Sequence, residues 1–309
     1  MADKITISTF QLFEMIPDAE TARVYLEKRL WPNGPRCPVC GLGERITVRT
    51  GGFYRCNQCQ EDFTVRTGTI FERSHIPLHK WVYAMYLLVT ARKGISSMQL
   101  SKEIGITQKS AWFMLHRLRE ACGPNLKKLR GIVEIDETYV GGLEGNKHER
   151  RKLRAGHGAV GKTAVFGMRE RGKGGRTLAL VTPRVDTATV HEAIYRNIEQ
   201  GSTLHTDEAQ VYTGLGGLFF GHNTVNHSAK EYSRRGVTTN GAESFFAVFK
   251  RGLIGMYHGV SRKHLARYAN EFAFRLNEGN VSRHTLARLD SFIANMAGKR
   301  LTHRALMAR

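Results

Sequence analysis

The sequence predicts a multidomain chain, with a small cysteine-built module and a helical pair ahead of a larger unit of α/β or α+β class. Three observations predict it. The chain has 309 residues, beyond ordinary single-domain size, and its 41% hydrophobic content supplies a sizeable core plus smaller modules. Four of its five cysteines fall in two close pairs near the start. From residue 131 onward, apolar strand-like runs are followed by amphipathic helical ones. Charge narrows the function classes: 47 lysines and arginines against 27 acids give +20, which suits nucleic acid better than a small neutral substrate. No apolar run approaches the roughly 18 residues of a membrane-spanning helix. The start, MADKITISTF, lacks a basic region followed by an apolar core. A membrane partner is therefore not expected, and the protein reads as cytoplasmic.

Residues 1–35 space Phe10, Phe13, Ile16, Ala22, Val24, Tyr25 and Leu30 for one or two short helices, which Trp31-Pro32-Asn33-Gly34-Pro35 stops. Residues 36–70 follow as a four-cysteine zinc ribbon. Cys37 and Cys40 form the first pair, and fifteen residues separate it from Cys56 and Cys59. That spacing fits a tetrahedral zinc site, and two such pairs do not resemble a single dithiol redox centre. ITVRT and GFYRC read as short strands between the pairs. Gly41 and Gly43 supply the turn after the first pair, and Phe53 and Phe63 are expected to cover the small core. Four protein ligands leave no open position for water, so the zinc is structural. Arg36, Arg45, Arg49, Arg55 and Arg66 are candidate phosphate contacts, or else a solvated face. Cys122, with no thiol neighbour in sequence, reads as a small buried hydrophobe.

Residues 77–122 turn helical. Trp81, Tyr83, Ala84, Tyr86 and Leu87 mark one helix, and two shorter ones follow. Residues 95–107 read as a helix and a glycine turn at Gly105, leading into a second helix capped by Thr107. Ala111, Met114, Leu115 and Leu118 recur at helical spacing and would face the first helix. Gln108, Lys109, Ser110, Phe113, His116 and Arg117 would then turn outward, where a recognition helix reads a major groove. An ordinary helical hairpin is the alternative; the net charge of +20 favours the DNA-binding helix-turn-helix.

In residues 131–309, GIVEIDETYV, KTAVFGM, TLALVT and STLHTD read as strands, while TATVHEAIYRNIEQ and two later segments read as helices. The glycine-rich basic stretch 141–161 reads as a mobile loop. Its end, Gly156-His157-Gly158-Ala159-Val160-Gly161-Lys162-Thr163, satisfies the phosphate-loop formula. That formula needs a buried strand before it and a helix after it. Here KHERRKLRA precedes and strand-like AVFGM follows, so no ATP binding is expected.

Three acids stand at informative places. Asp136 follows the apolar strand Ile132-Val133-Glu134-Ile135, and Asp207 ends a second strand. Glu243 sits on an amphipathic helix whose Ala242, Phe245, Phe246 and Phe249 share one face, with Asn240, Glu243, Ala247 and Lys250 on the other. Two strand-borne aspartates and one helix-borne glutamate are what a two-metal phosphoryl-transfer site needs. Divalent cations roughly 3.5–4 Å apart activate the attacking oxygen and stabilise the leaving one. Hard oxygen ligands suit Mg2+ or Mn2+. By strand alternation Glu134 shares the face of Asp136, as a substitute ligand, and Glu137 points the other way.

The order CPVCG, CNQC, IDETYVGG, HTDEAQVY and NGAESFFAVFKRGLIGMYHGVSRKHLARYANEFAFRLN resembles the bacterial insertion-sequence transposases that join an N-terminal zinc ribbon to a DDE core. The resemblance covers essentially the whole chain. It implies an RNase H-like DDE core with a mixed sheet over residues 131–280, after a zinc ribbon and a helix-turn-helix, and before a basic helical tail at 281–309. It implies Asp136, Asp207 and Glu243 as catalytic acids holding two Mg2+ or Mn2+ ions. Glu243 lies 36 positions after Asp207, and Lys250 seven beyond Glu243, a spacing similar to that of many DDE enzymes. Relatives are often described with asparagine in the third position, so Asn240, about one turn earlier, is a rival third ligand. Lys250 would contact phosphate, and Arg262 and Lys263 would extend that track. The implied activity is cleavage at the ends of the element and joining of the 3′ ends to target DNA. The partners would be terminal inverted repeats and target DNA, with a homodimer or higher assembly to bring two ends together. The alternative is a zinc-ribbon DNA-binding regulator with an inactive nuclease-like domain, which intact acids at all three positions disfavour.

Overall fold

The computed structural model describes residues 6–123, 127–142, 148–153, 159–182, 184–217, 219, 221–225, 236–279 and 282–308. The chain forms two compact units, Met1–Gly123 with Glu278–Arg309, and Pro124–Asn277.

The first unit begins with α1 (Thr9–Met15) and α2 (Ala19–Leu30). Both start on side-chain caps: the Gln11 amide donates to Ser8 Oγ at 3.2 Å and the Thr21 amide to Asp18 Oδ1 at 2.7 Å. Three short antiparallel strands follow in the order β1 (Ile46–Val48), β2 (Tyr54–Cys56) and β3 (Asp62–Phe63). Their core is Cys37, Tyr54, Cys56 and Phe63, with Trp31 against it. Trp31 meets Tyr54 and Phe63 edge-on at 5.2 and 5.8 Å. Tyr54 Oη donates to Glu27 at 3.0 Å, so α2 is fastened to the strands. Phe53 does not cover this core as the sequence predicts; it is 52% exposed, and Trp31 takes that place.

Helices α3 (Leu78–Thr90), α4 (Ser97–Ile104) and α5 (Gln108–Ala121) complete the predicted trio, although α5, expected to be shorter than α3, is slightly longer. Gly105 ends α4 in the left-handed region at φ +62°, and Ser96 and Thr107 cap α4 and α5. Ala111, Met114, Leu115 and Leu118 are buried, as their spacing predicts. His116 and Arg117 correct the sequence reading: both were expected to face outward, and both are buried. For Arg117 the cause is a second layer over α5 from the far end of the chain. Arg117 donates to the carbonyls of Leu301 and Ile70 and lies over the Phe113 ring, and the His303 ring meets Phe113 edge-on. Trp112 packs edge-on against His116 at 4.4 Å. Two C-terminal helices, Thr285–Ala294 and His303–Met307, belong to this unit, the first pairing its Asp290 with Arg29 of α2.

The second unit is built on a mixed five-stranded sheet. Its strands are β4 (Ile132–Val140), β5 (Thr163–Glu170), β6 (Thr177–Thr182), β7 (Thr203–Asp207) and β8 (Gly221–Val225), ordered β6-β5-β4-β7-β8. β4, β5 and β6 form an antiparallel meander, while β7 and β8 run parallel to β4. α6 (Thr187–Asn197) connects β6 to β7 and covers one face with Val190 and Ile194 on Val133, Ile135 and Leu204. α7 (Asn240–Gly252) and α8 (Arg262–Glu278) cover the other with Phe245, Phe246, Phe249, Leu265, Tyr268 and Phe272. Each buried phenylalanine contributes roughly 1.5–3 kcal/mol of transfer free energy. Gly161, Lys162 and Thr163 lead into strand β5 rather than a helix, which removes the context a phosphate loop needs. Residues 156–158 of that motif, and 143–147 and 154–158 of the glycine-rich stretch, lie outside the described residues.

Candidate active site and zinc centre

The four ribbon cysteines converge. Cys37 and Cys59 sulfurs are 3.5 Å apart, Cys40 and Cys56 sulfurs 3.7 Å, and all four lie within 4.8 Å of one another. Thiolates about 2.3 Å from one ion in a tetrahedron stand roughly 3.8 Å apart, so this spacing fits zinc and no disulfide. Gly41 makes the predicted left-handed turn at φ +77°. Backbone N–H groups of Cys59 and Gln58 aim at the Cys56 sulfur and lower its pKa to about 7. Loss of hydration pushes Cys59 the other way, up to about 12. Thiols this close ionise together only with a cation among them. Of the ribbon arginines, Arg66 is turned inward onto the carbonyls of Ser74 and Ile76, and Arg49 and Arg55 pair with Asp62.

The acids of the second unit are assembled by strand register. β4 and β7 pair in parallel, Val133 with Leu204 and Glu134 with His205. Carried two residues further, that register sets Asp136 beside Asp207 at the carboxyl end of β7, on one face. Opposite Asp136 on β5 stands Gly167. A Cβ there would lie 2.8 Å from Phe246 and 3.2 Å from Phe245, so the glycine admits α7 close to the sheet. α7 thereby brings Glu243 over Asp136. Burial, then the nearby charges of Glu137, Asp207 and Glu243, raise the Asp136 pKa to about 7. Asp136 and Asp207 are half-buried and Glu243 is exposed. Their oxygens do not all approach within 4.8 Å as the thiols do; among the described residues only the four cysteines meet that spacing. The Ala209 amide donates to Asp207 Oδ1 at 3.1 Å, and Thr239 Oγ1 to Glu243 Oε1 at 3.3 Å. A carboxylate held back from ionising by burial and by its neighbours is a site that a divalent cation relieves, and the all-oxygen donor set suits Mg2+ or Mn2+.

Asn240 opens α7, exposed, one turn before Glu243, and Lys250 is exposed two turns after it on the same face. Arg262 and Lys263 are exposed in the first turn of α8. In the other unit Gln108 and Lys109 are exposed and Ser110 half-buried at the start of α5.

Two further acids of β4 stand where strand alternation predicts, each with a partner of its own. Glu134, the substitute ligand, is buried, and it accepts the Gly241 amide at 2.6 Å. Glu137 does lie on the opposite face, hydrogen-bonded by Tyr212, yet its charge acts on Asp136, and that of Asp207 on it. The legible signal for α7's close approach was a glycine inside the apolar run KTAVFGM.

Residues 128–277 match the ISXO2-like transposase domain, and residues 17–62 the transposase zinc-ribbon domain. The chain is 30% identical over 260 residues to an uncharacterized protein in transposable element ISH50 of Halobacterium salinarum, covering 79% of this chain and 86% of that one. An uncharacterized transposase-like protein of Haemophilus influenzae is 26% identical over 106 residues, 34% of this chain and 85% of its own length. Among solved structures, a simian T-cell lymphotropic virus intasome in complex with PP2A regulatory subunit B56 gamma overlaps at a TM-score of 0.29 and 12% identity. That overlap covers 62% of this chain and 68% of the other, and is too loose to bear on the fold.

Proposed function

Because the chain belongs to the insertion-sequence transposases that pair a zinc ribbon with an ISXO2-like transposase domain, we propose that it cuts the ends of its element and joins the freed 3′ ends to target DNA. The observation that carries this is the register setting Asp136 beside Asp207, with Glu243 lowered over them by α7. The sheet order β6-β5-β4-β7-β8, an antiparallel meander extended by parallel strands, supports an RNase H-like DDE core over 131–280. Asp136, Asp207 and Glu243 hold the metals, with Asn240 flanking the third. Two Mg2+ or Mn2+ ions supply activation of the attacking oxygen and charge neutralisation at the leaving one. Lys250 receives a phosphate beside the reacting strand. Arg262 and Lys263 extend that path: cations in the first turn of a helix oppose its dipole, and bound phosphate relieves the conflict. The ribbon and the helix-turn-helix of 77–122 hold the terminal repeat, Gln108, Lys109 and Ser110 at the groove. The substrate is cytoplasmic DNA, and two ends are bridged by a homodimer or larger assembly.

Labelled terminal-repeat DNA with Mg2+ tests this. Metal-dependent nicking at the element boundary, lost in Asp136→Ala while binding persists, is the expected result. Sequence-specific binding without any metal-dependent nicking in the wild type would instead make the protein a zinc-ribbon regulator.

A further inference from the structure

Glu134 stands two residues before Asp136 on the same face of β4, and the residue is 4% exposed. Burying a carboxylate is unfavourable unless its oxygens are matched by donors or cations. Here both are matched. Oε2 accepts the backbone N–H of Gly241 at 2.6 Å, and Oε1 lies 3.5 Å from Nε of Arg171. Gly241 is the second residue of α7, where the amides have no partner inside the helix and a negative charge is favoured. The hydroxyl of Thr239, at the N-cap position, turns instead to the Glu243 carboxylate at 3.3 Å.

Gly241 is shaped to this contact. A Cβ there would stand 2.6 Å from Glu134 Oε2 and 3.1 Å from Arg169 Cδ. The glycine answers the approach of a carboxylate rather than a left-handed backbone, since its φ is not positive. Glu243 follows it by two residues in the same turn. One strand thus carries the first acid of the site and grips the turn that carries the third.

We propose that Glu134 is a positioning residue that clamps the first turn of α7 to β4 and so fixes Glu243 relative to Asp136. It touches neither substrate nor metal, because its oxygens are committed to Gly241 and Arg171. The inference rests on the reading of Asp136 and Glu243 as metal-binding acids.

Two variants release the clamp from opposite sides. Glu134→Ala removes the acceptor. Gly241→Ala pushes it away while improving intrinsic helix propensity. Zinc-loaded, magnesium-free protein is compared for hydrogen exchange over residues 238–246 and for Mn2+ binding by electron paramagnetic resonance, without DNA or turnover. Both variants are expected to exchange faster in the first turn of α7 and to bind Mn2+ at least about tenfold more weakly, the usual scale for supports of a metal ligand. Glu134→Gln, which keeps an acceptor oxygen at the same reach, is expected to restore most of both. A residue important only for helix content would give slower exchange in Gly241→Ala, and that result overturns the proposal. So do wild-type exchange and Mn2+ affinity in folded Glu134→Ala; if that variant does not fold, Gly241→Ala decides alone. Asp136→Ala separates the two levels. Mn2+ binding unchanged by Asp136→Ala removes the metal-site reading, with exchange still judging the clamp. Binding lost there but intact in the other two removes the clamp only.

Discussion

Asp136 keeps its proton up to about pH 7, whereas an unfolded aspartate releases it near 3.9. Between those values the unfolded chain binds fewer protons than the folded one. Stability therefore falls as pH rises from about 4 to about 7 and levels off above. Asp136→Asn has no charge to bury. In zinc-loaded protein without magnesium, urea unfolding should find the variant more stable than wild type at pH 8, by roughly 2–4 kcal/mol as an upper range, with the gap closing at pH 4. A variant no more stable at pH 8 would mean that burial and the neighbouring acids do not hold the Asp136 carboxylate back from ionising. Lys109 and Arg117, both on α5, should separate by their surroundings. Lys109 is exposed, so Lys109→Ala should lower DNA affinity and reduce the log-log salt slope by about 1 with little change in stability. Arg117 holds the carbonyls of Leu301 and Ile70, so Arg117→Ala should destabilise by roughly 1–3 kcal/mol. Equal salt slopes for Lys109→Ala and wild type would remove Lys109 from the DNA surface.

α7 is the element on which the site depends, and three contacts set its height and pitch. Phe245 and Phe246 settle over Gly167, Glu134 holds the Gly241 amide, and Gly252 lets Phe272 of α8 pass within 2.1 Å of where a Cβ would stand. Gly167→Ala should cost about 1–3 kcal/mol in thermal unfolding and slow cleavage, because the added methyl lifts the helix carrying Glu243. Unchanged stability and rate would show that the helix has room to spare. The amphipathic pattern of α7 was legible because the apolar residues recur with the helical period and the packing obeys it. The outward face of α5 was not. Period identifies the face that meets a sequence neighbour, but Arg117 reaches the Leu301 carbonyl and Phe113 meets His303, both from a segment some 180 residues away. β8 was missed for another reason: Gly221-His222-Asn223-Thr224-Val225 is an edge strand without apolar alternation, held by pairing to β7 rather than by its own burial.

At the scale of the molecule the chain is two compact units, and residues 278–309 return to the amino-terminal one. Cys37→Ser should unfold the ribbon and impair terminal-repeat binding while Pro124–Asn277 stays folded, as measured by hydrogen exchange; a core that lost protection along with the ribbon would contradict the division. Among the described residues no helix is long and apolar enough to cross a membrane, and the +20 charge remains the broadest pointer to a polyanion. The order of cysteine pairs, strand-borne acids and phenylalanine-rich helix was readable from spacing, although Asp136 falls in the middle of β4 rather than at its end, because the strand runs on through Val140. The register that makes Asp136 and Asp207 neighbours was not, because strand pairing across 71 positions leaves no local trace. Asp136, Asp207 and Glu243 are proposed to form one site for transfer of a 3′ end. Joining of a precut, labelled terminal repeat to plasmid DNA tests it most directly. The wild type is expected to join in the presence of Mg2+. Each of Asp136→Ala, Asp207→Ala and Glu243→Gln should lower the rate roughly 1000-fold, about 4 kcal/mol in the barrier, with end binding retained. Joining at the wild-type rate by any of the three would contradict it.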